Sequence, residues 1–322
     1  MPAFPESALR SPPMLHGSEN LTIRCGLELT YEAVDPTHIV LLIQPRLEKD
    51  QRMEGEQLSF SPEVSVEEYA DVHRNIVRRF DLPVGRTTIT HDCFVSVSAR
   101  PERHDLTDIP LPVREMSPEL LRYTLPSRYC DSDALMDFAF QHFGQVPHGL
   151  RRVEAICDWL HDNIEYRWGA GSPLFTASQV IAQRFGICRD FAHAAIALCR
   201  CFNLPARYVT GHLPDVAADD SGVPMDFHAY MQAYVGHQWH TFDARFNSPR
   251  IGRIHIASGF DAVDCAFSTL YGAAQLAWFT VWNYQVDRTV VKLGDPVDLA
   301  HRLDGTTELR FPASMTASAL SS

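Results

Sequence analysis

The sequence predicts an α+β protein: a helix bearing a cysteine packed on an antiparallel sheet, preceded by an all-β N-terminal domain. Two changes of period carry this expectation. Residues 20–112 alternate apolar and polar side chains in short runs, residues 131–200 space them as helices do, and later segments return to alternation. A chain of 322 residues with 45% apolar content is long enough for two cores.

Taken in order, residues 1–19 are rich in proline and serine and read as an irregular leader. The opening MPAFPESALRSPPMLHGSENLTIRC has no apolar block followed by a cleavage site, unlike a signal peptide, so a cytoplasmic protein is expected. LTIRCGLELTYEA alternates, HIVLLIQP is a buried run, and NIVRRFDLP and TTITHDCFVSVSA alternate again, giving the all-β domain over 20–112. DIPLPVREMSPELLRYTLPSRYC is proline-rich and supplies a linker at 113–130. The second domain, 131–300, opens with helices at SDALMDFAFQHFG and PHGLRRVEAICDWLHDNI, then a short one at TASQVIAQRFG with a Thr/Ser cap and a closing Gly. Strands follow at PARYVTGHL, FHAYMQAYVG, QWHTFDAR and RIHIASG, with a late pair around LAWFTVWNYQVDRTVVKL. Residues 301–322, ending PASMTASALSS, read as a mobile tail.

The net charge of −12 argues against nucleic acid or an anionic membrane as the main partner. The longest apolar runs fall far short of a membrane span. Eight cysteines at irregular spacing are expected to be mostly reduced and individually buried.

Three of those cysteines lie in GICRDFAHAAIALCRCF. Gly186 is expected to close one helix and the next to begin near Ile187. Ile187, Phe191, Ala194, Leu198 and Phe202 then form a buried stripe. Cys188 sits one position off that stripe in the first turn, where unpaired N–H groups and the helix dipole favour a thiolate. The same N–H groups can hold an oxyanion. Cys199 and Cys201 read as packing, and Cys-x-Cys with His193 on another face lacks the ligand spacing of a zinc site. On position alone, Cys188 is either core or nucleophile.

Downstream, a two-residue turn at Gly236-His237 would pair Val235 with Gln238, Tyr234 with Trp239, Gln232 with Thr241 and Tyr230 with Asp243. Asp243 then lies diagonally beside His228 on one face, within reach of a carboxylate–imidazole hydrogen bond. A three-residue loop would send Asp243 to the other face. A carboxylate on one ring nitrogen fixes the tautomer that works on a thiol and stabilises the imidazolium. His237, His240 and His212 have no carboxylate in register, and mid-helix His193 reads as packing.

Cysteine on a helix N-terminus, then His and Asp on adjacent antiparallel strands, is the papain-like arrangement in transglutaminase order. GICRDFAHAAIALCRCFNLPARYVTGHLP and FHAYMQAYVGHQWHTFDARFN resemble the core of bacterial transglutaminase-like proteins, and RIHIASGFDAVD resembles the segment that follows. IEYR resembles the family's aromatic pair before the cysteine, and DVHRNIVRRFDLP a stretch of its accessory N-terminal β domain. The resemblance covers roughly residues 20–290. It implies a papain-like transglutaminase core with Cys188 as nucleophile, His228 as general base and Asp243 as orienting carboxylate. It also implies an upstream side chain that shares the oxyanion with the cysteine's own N–H. Tyr166, Trp168 and Gln183 are the candidates, Tyr166 first.

Tyr230 stands where the family often has Trp, Asn247 follows the Asp strand, and Asp190 is either a substrate contact or a first-turn acid. PDVAADDSGVPMDF lacks calcium-loop spacing and reads as a substrate-facing lid. The expected chemistry is acyl transfer on amide bonds through a thioester, hydrolytic in the first instance. A protein-glutamine transglutaminase or amide-forming acyltransferase is the alternative, and a non-catalytic peptide-binding module the second. No cofactor or metal is expected. The expected partners are a peptide or amide substrate and, for the acyltransferase alternative, an amine co-substrate.

Overall fold

The chain returns to its beginning. A computed structural model describes residues 20–312, so the leader and the end of the tail lie outside the described residues. The first strands are β1 (Asn20–Ala33), β2 (Thr37–Leu41), β3 (Gln51–Ser61), β4 (Glu67–Ala70), β5 (Ile76–Leu82) and β6 (Gly85–Ser98). After a short helix, α1 (Pro118–Leu121), come α2 (Met136–Phe143), α3 (Leu150–Asn163), β7 (Glu165–Tyr166), α4 (Ala177–Gln183), β8 (Phe185–Gly186) and α5 (Cys188–Arg200). The chain closes with β9 (Ala206–His212), β10 (His228–Val235), β11 (Gln238–Phe242), β12 (Ile254–Gly259), β13 (Ser268–Tyr271) and β14 (Ala274–Gln285).

Among the described residues, three four-stranded sheets result, ordered β14-β1-β6-β3, β13-β2-β5-β4 and β11-β10-β9-β12. The first two pack face to face over Leu27, Leu29, Tyr31, Ile39, Leu41, Phe80, Leu82 and Ile89. The third carries α5 on one face. Ala194, Ala195, Ile196 and Leu198 are fully buried between that sheet and α3 and α4. The whole is the expected α+β fold, a transglutaminase-like core behind a strand-rich N-terminal unit.

Several expectations change. Of the late strand pair expected around LAWFTVWNYQVDRTVVKL only the first member forms, as β14, and it does not join the second domain; residues 286–293 are turn and coil. β14 pairs with β1 from Ile23↔Gln285 to Ala33↔Ala274, and β13 pairs with β2. Alternation marks a strand but does not name its partner, and this one lies at the far end of the chain. Gly186 does not close α4: Arg184, in the left-handed region at φ 64°, does, and Gly186 belongs to β8, parallel to β7. Gly186 is required there for another reason, since a Cβ would lie 2.7 Å from Asp190 Cβ. The tail from 301 to 312 is packed, because Arg302 bridges Asp304, Asp220 and Asp215 and Gly305 N–H donates to Asp215 O. The acidic loop 213–226 is tethered by the same Arg302 and by Arg250, so its first half is not a free lid.

Residues 99–112, expected to end the β domain, form a strap along the edge strand β11. His104 stacks on Phe242 at 4.1 Å and bonds Thr241 O at 2.7 Å, Asp108 meets His240 at 3.2 Å, and Gly236 N–H donates to Ile109 O. The linker is docked too: buried Arg200 donates to Tyr123 O, Ser127 Oγ, Ala206 O and Phe260 O.

The opposite edge, β12, is closed by side-chain amides of the N-terminal unit. Gln51 accepts from His255 N–H at 2.7 Å and donates to His255 O at 2.8 Å. Asn75 does the same to Ser258, at 2.8 and 2.9 Å. Each amide imitates a neighbouring strand, and the edge has no unpaired groups at these positions. Gly211 lets β9 and β12 approach, because a Cβ there would lie 1.7 Å from Ile254 O.

Candidate active site

The hairpin that sets the site forms in the expected register. Val235 pairs with Gln238, Tyr234 with Trp239 and Gln232 with Thr241. Gly236 and His237 both have positive φ, 59° and 66°, as a type I′ turn requires. The ladder ends at Met231↔Phe242. One residue on, His228 Nε2 donates to Asp243 Oδ2 at 2.7 Å, with both side chains buried. Nδ1 is therefore the nitrogen left to face a proton donor. His228 makes its second hydrogen bond with Cys188.

Cys188 begins α5, whose N-cap Ile187 has extended backbone. Its thiol also accepts from Ala229 N–H and faces Arg245. Burial alone would push this thiol up. The bond and charge from His228, the Ala229 N–H and Arg245 outweigh that and hold it below the ordinary thiol range. Burial likewise opposes the His228 cation, but Asp243 and Cys188 raise its pKa. The Asp243 carboxyl resists protonation despite its burial, held far below the ordinary range by His228 and Arg253. The three side chains named from the sequence thus converge, with charges set for a thiolate–imidazolium pair.

The other seven cysteines are at most 4% exposed, whereas Cys188 is half-buried. Burial raises Cys199 and Cys201, the latter to about 12, as expected of packing residues. Among the described residues no cluster of three or more His, Cys, Asp or Glu is arranged to hold a metal ion.

The remaining candidates separate. Tyr166 pairs through β7 with Gly186, two residues before the cysteine, and its ring lies 3.6 Å under the Arg245 guanidinium. Trp168 is 63% exposed. Gln183 donates its amide to Phe185 O at 2.9 Å, a local bond. Asp190 is fully buried, accepts from Ile187 N–H at 2.9 Å and pairs with Arg189, so it is the first-turn acid and not a substrate contact. Tyr230 is buried beside His228 with Arg253 over its ring, so it does not present itself to substrate, and the exposed Asn247 ties to Asp158 at 2.7 Å. His193 is buried, stacks on Tyr129 and accepts from Ala262 N–H.

Two residues around Asp243 are not legible beforehand. Arg253 Nη1 donates to Asp243 Oδ2 at 3.0 Å, and Arg253 Nε to Glu102 at 2.8 Å. Arg245 adds its backbone N–H to Asp243 Oδ1 at 3.2 Å. Arg253 opens a predicted strand, and only the fold shows which carboxylates it meets.

Fold and geometry together define the class of papain-like cysteine acyl-transfer proteins. Residues 137–244 match the Transglutaminase-like superfamily, a span that includes Cys188, His228 and Asp243. A crystal structure of a candidate cysteine protease from Cytophaga hutchinsonii is similar at 29% identity and TM-score 0.75, covering 83% of this chain and 91% of that one. The periplasmic domain of TgpA from Pseudomonas aeruginosa aligns at 16% identity and TM-score 0.34, over 71% of this chain and 91% of that one. Protein ML0607 of Mycobacterium leprae (strain TN) is 24% identical over 176 residues, 53% of this chain and 63% of the relative's own length. No helix among the described residues is long and apolar enough to cross a membrane.

Proposed function

We propose that the protein is a cysteine hydrolase of peptide or amide bonds, acting through a thioester on Cys188. The observation that carries this is the buried 2.7 Å His228–Asp243 bond, set beside a thiol held low at a helix N-terminus. The Cys188 thiolate attacks the carbonyl carbon, forming the S–C bond. First-turn N–H groups of α5 and the Tyr166 hydroxyl face the resulting oxyanion. The C–N bond breaks as His228 gives its proton to the departing amine, with Asp243 keeping the ring in place. Water, losing a proton to His228, then attacks the thioester and frees the acid and the thiol.

Two considerations favour water over a second amine as acceptor. A half-buried thioester meets water by default, and the Cytophaga hutchinsonii protein, similar over 83% of the chain, is a candidate cysteine protease. An amine acceptor in place of water would make the same site a transglutaminase. The test is product analysis with a panel of glutamine-containing peptides, with and without a primary amine, for wild type and Cys188→Ala. Hydrolysis that Cys188→Ala abolishes is the expected result. Amine incorporation faster than hydrolysis would replace the hydrolase reading with the transglutaminase one.

A further inference from the structure

We propose that Glu102 and Arg253 are positioning residues of the Cys188 site: an ion pair reaching from the strap sets the pH range over which Cys188 and His228 exist as thiolate and imidazolium. This rests on Cys188 being the nucleophile, as proposed above.

The geometry is a chain of contacts of alternating sign. Glu102 meets Arg253 at 2.8 Å, Arg253 meets Asp243 at 3.0 Å, Asp243 meets His228 at 2.7 Å, and His228 bonds Cys188. The Arg253 and Asp243 side chains are 6% and 3% exposed, so water screens little of this. Asp243 Oδ2 serves two cations at once, and each draws on the carboxylate that the other needs. Arg253 therefore weakens the grip of Asp243 on the imidazolium, and Glu102 offsets Arg253. The guanidinium also lies 4.5 Å over Tyr230, whose ring packs nearly parallel to His228 at 6.3 Å. One arginine thus fixes both the carboxylate and the neighbouring ring.

Other charges face this cluster and stay in place in the test. Arg245 faces Cys188 and Tyr166, Asp226 faces His228, Arg250 faces Asp243 and Arg253, and Cys157 lies near Asp243. Glu48 and Arg207 face Tyr230.

The two ends of the pair act in opposite directions. Removing the Glu102 charge leaves Arg253 uncompensated, which disfavours the imidazolium and favours the thiolate, so both titrations move to lower pH. Removing Arg253 does the reverse. Arg253 stands two hydrogen bonds from His228 and Glu102 three, so a unit charge removed at Arg253 shifts these limbs by about one pH unit and one removed at Glu102 by less.

The experiment is the pH–rate profile for iodoacetamide alkylation of Cys188 in the full chain, for wild type, Glu102→Gln, Arg253→Met and Arg253→Lys. Glu54→Gln, on the outer strand β3, is the remote control. We expect both limbs to move up by about one unit in Arg253→Met and down, by less, in Glu102→Gln. Arg253→Lys should return toward wild type, and the control should not move. The amide introduced by Glu102→Gln keeps an acceptor for Arg253, so that variant decides the matter even if Arg253→Met does not fold. Slower alkylation with unmoved limbs, or shifts of the same sign, would overturn the positioning role. If wild-type Cys188 itself titrates like an ordinary thiol, the nucleophile reading fails instead, and the two failures are distinguishable.

Discussion

Replacing Asp243 by Asn removes one charge and little volume, and it tests the site at its most buried bond. In the wild type, burial disfavours the His228 cation, and the carboxylate at 2.7 Å overcomes it. With Asn, burial acts with less opposition, the ring is neutral near pH 7, and Cys188 loses the cation that held it low. A thiol returned to about 8.5 is roughly 1% ionised at pH 6.5, so alkylation there should fall, by at most about 100-fold. Iodoacetamide labelling with peptide mapping reads this directly, since the other seven thiols are at most 4% exposed. Asn keeps an oxygen for the Arg245 N–H, and a thermal melt should show a cooperative fold. An Asp243→Asn profile lying on the wild-type curve would refute the account of the thiolate.

Further outcomes follow from the same contacts. Tyr166→Phe should slow acylation by about 10- to 100-fold, whereas Gln183→Ala, whose amide is held by Phe185 O, should change it little; single-turnover kinetics on a cleaved peptide separate them. Asn75→Ala strips Ser258 of two hydrogen bonds and Arg46 of one, and should cost about 2–4 kcal/mol in urea unfolding, with Cys188 alkylation at neutral pH unchanged. The Asp243 charge stabilises the fold above its unfolded pKa of about 3.9, and that contribution is lost as pH falls toward its depressed folded value. The stability gap between wild type and Asp243→Asn should therefore shrink below about pH 4.

Local chemistry makes much of this readable. The stripe's Phe191, Ala194 and Leu198 lie buried on α5, and the Gly236-His237 turn fixes the register that brings His228 to Asp243. Where side-chain period and turn length decide, the sequence is sufficient. It fails where the partner is distant. β3 escapes notice because its Glu- and Gln-rich face gives little apolar contrast, and β14 reads into the wrong unit because nothing in LAWFTVWNYQ points to β1. Glu102 and Arg253 are invisible for the same reason: 151 residues separate them, and each alone is an ordinary surface-type charge. Asp190 shows a different limit, in that a first-turn acid and a substrate contact look alike until burial is known.

The amides of Gln51 and Asn75 on β12 bear on how the molecule is divided. The span matched to the superfamily stops at residue 244, before β12, and includes neither amide. A fragment cut to that span would lack the outer strand beside β9, and one extended through β12 would carry a bare strand edge open to pairing with other chains. The matched segment thus stops short of the strand and the amides that complete its sheet. The sandwich supplies the last course of hydrogen bonds to the sheet beside it, and heat or urea should melt both halves in one transition.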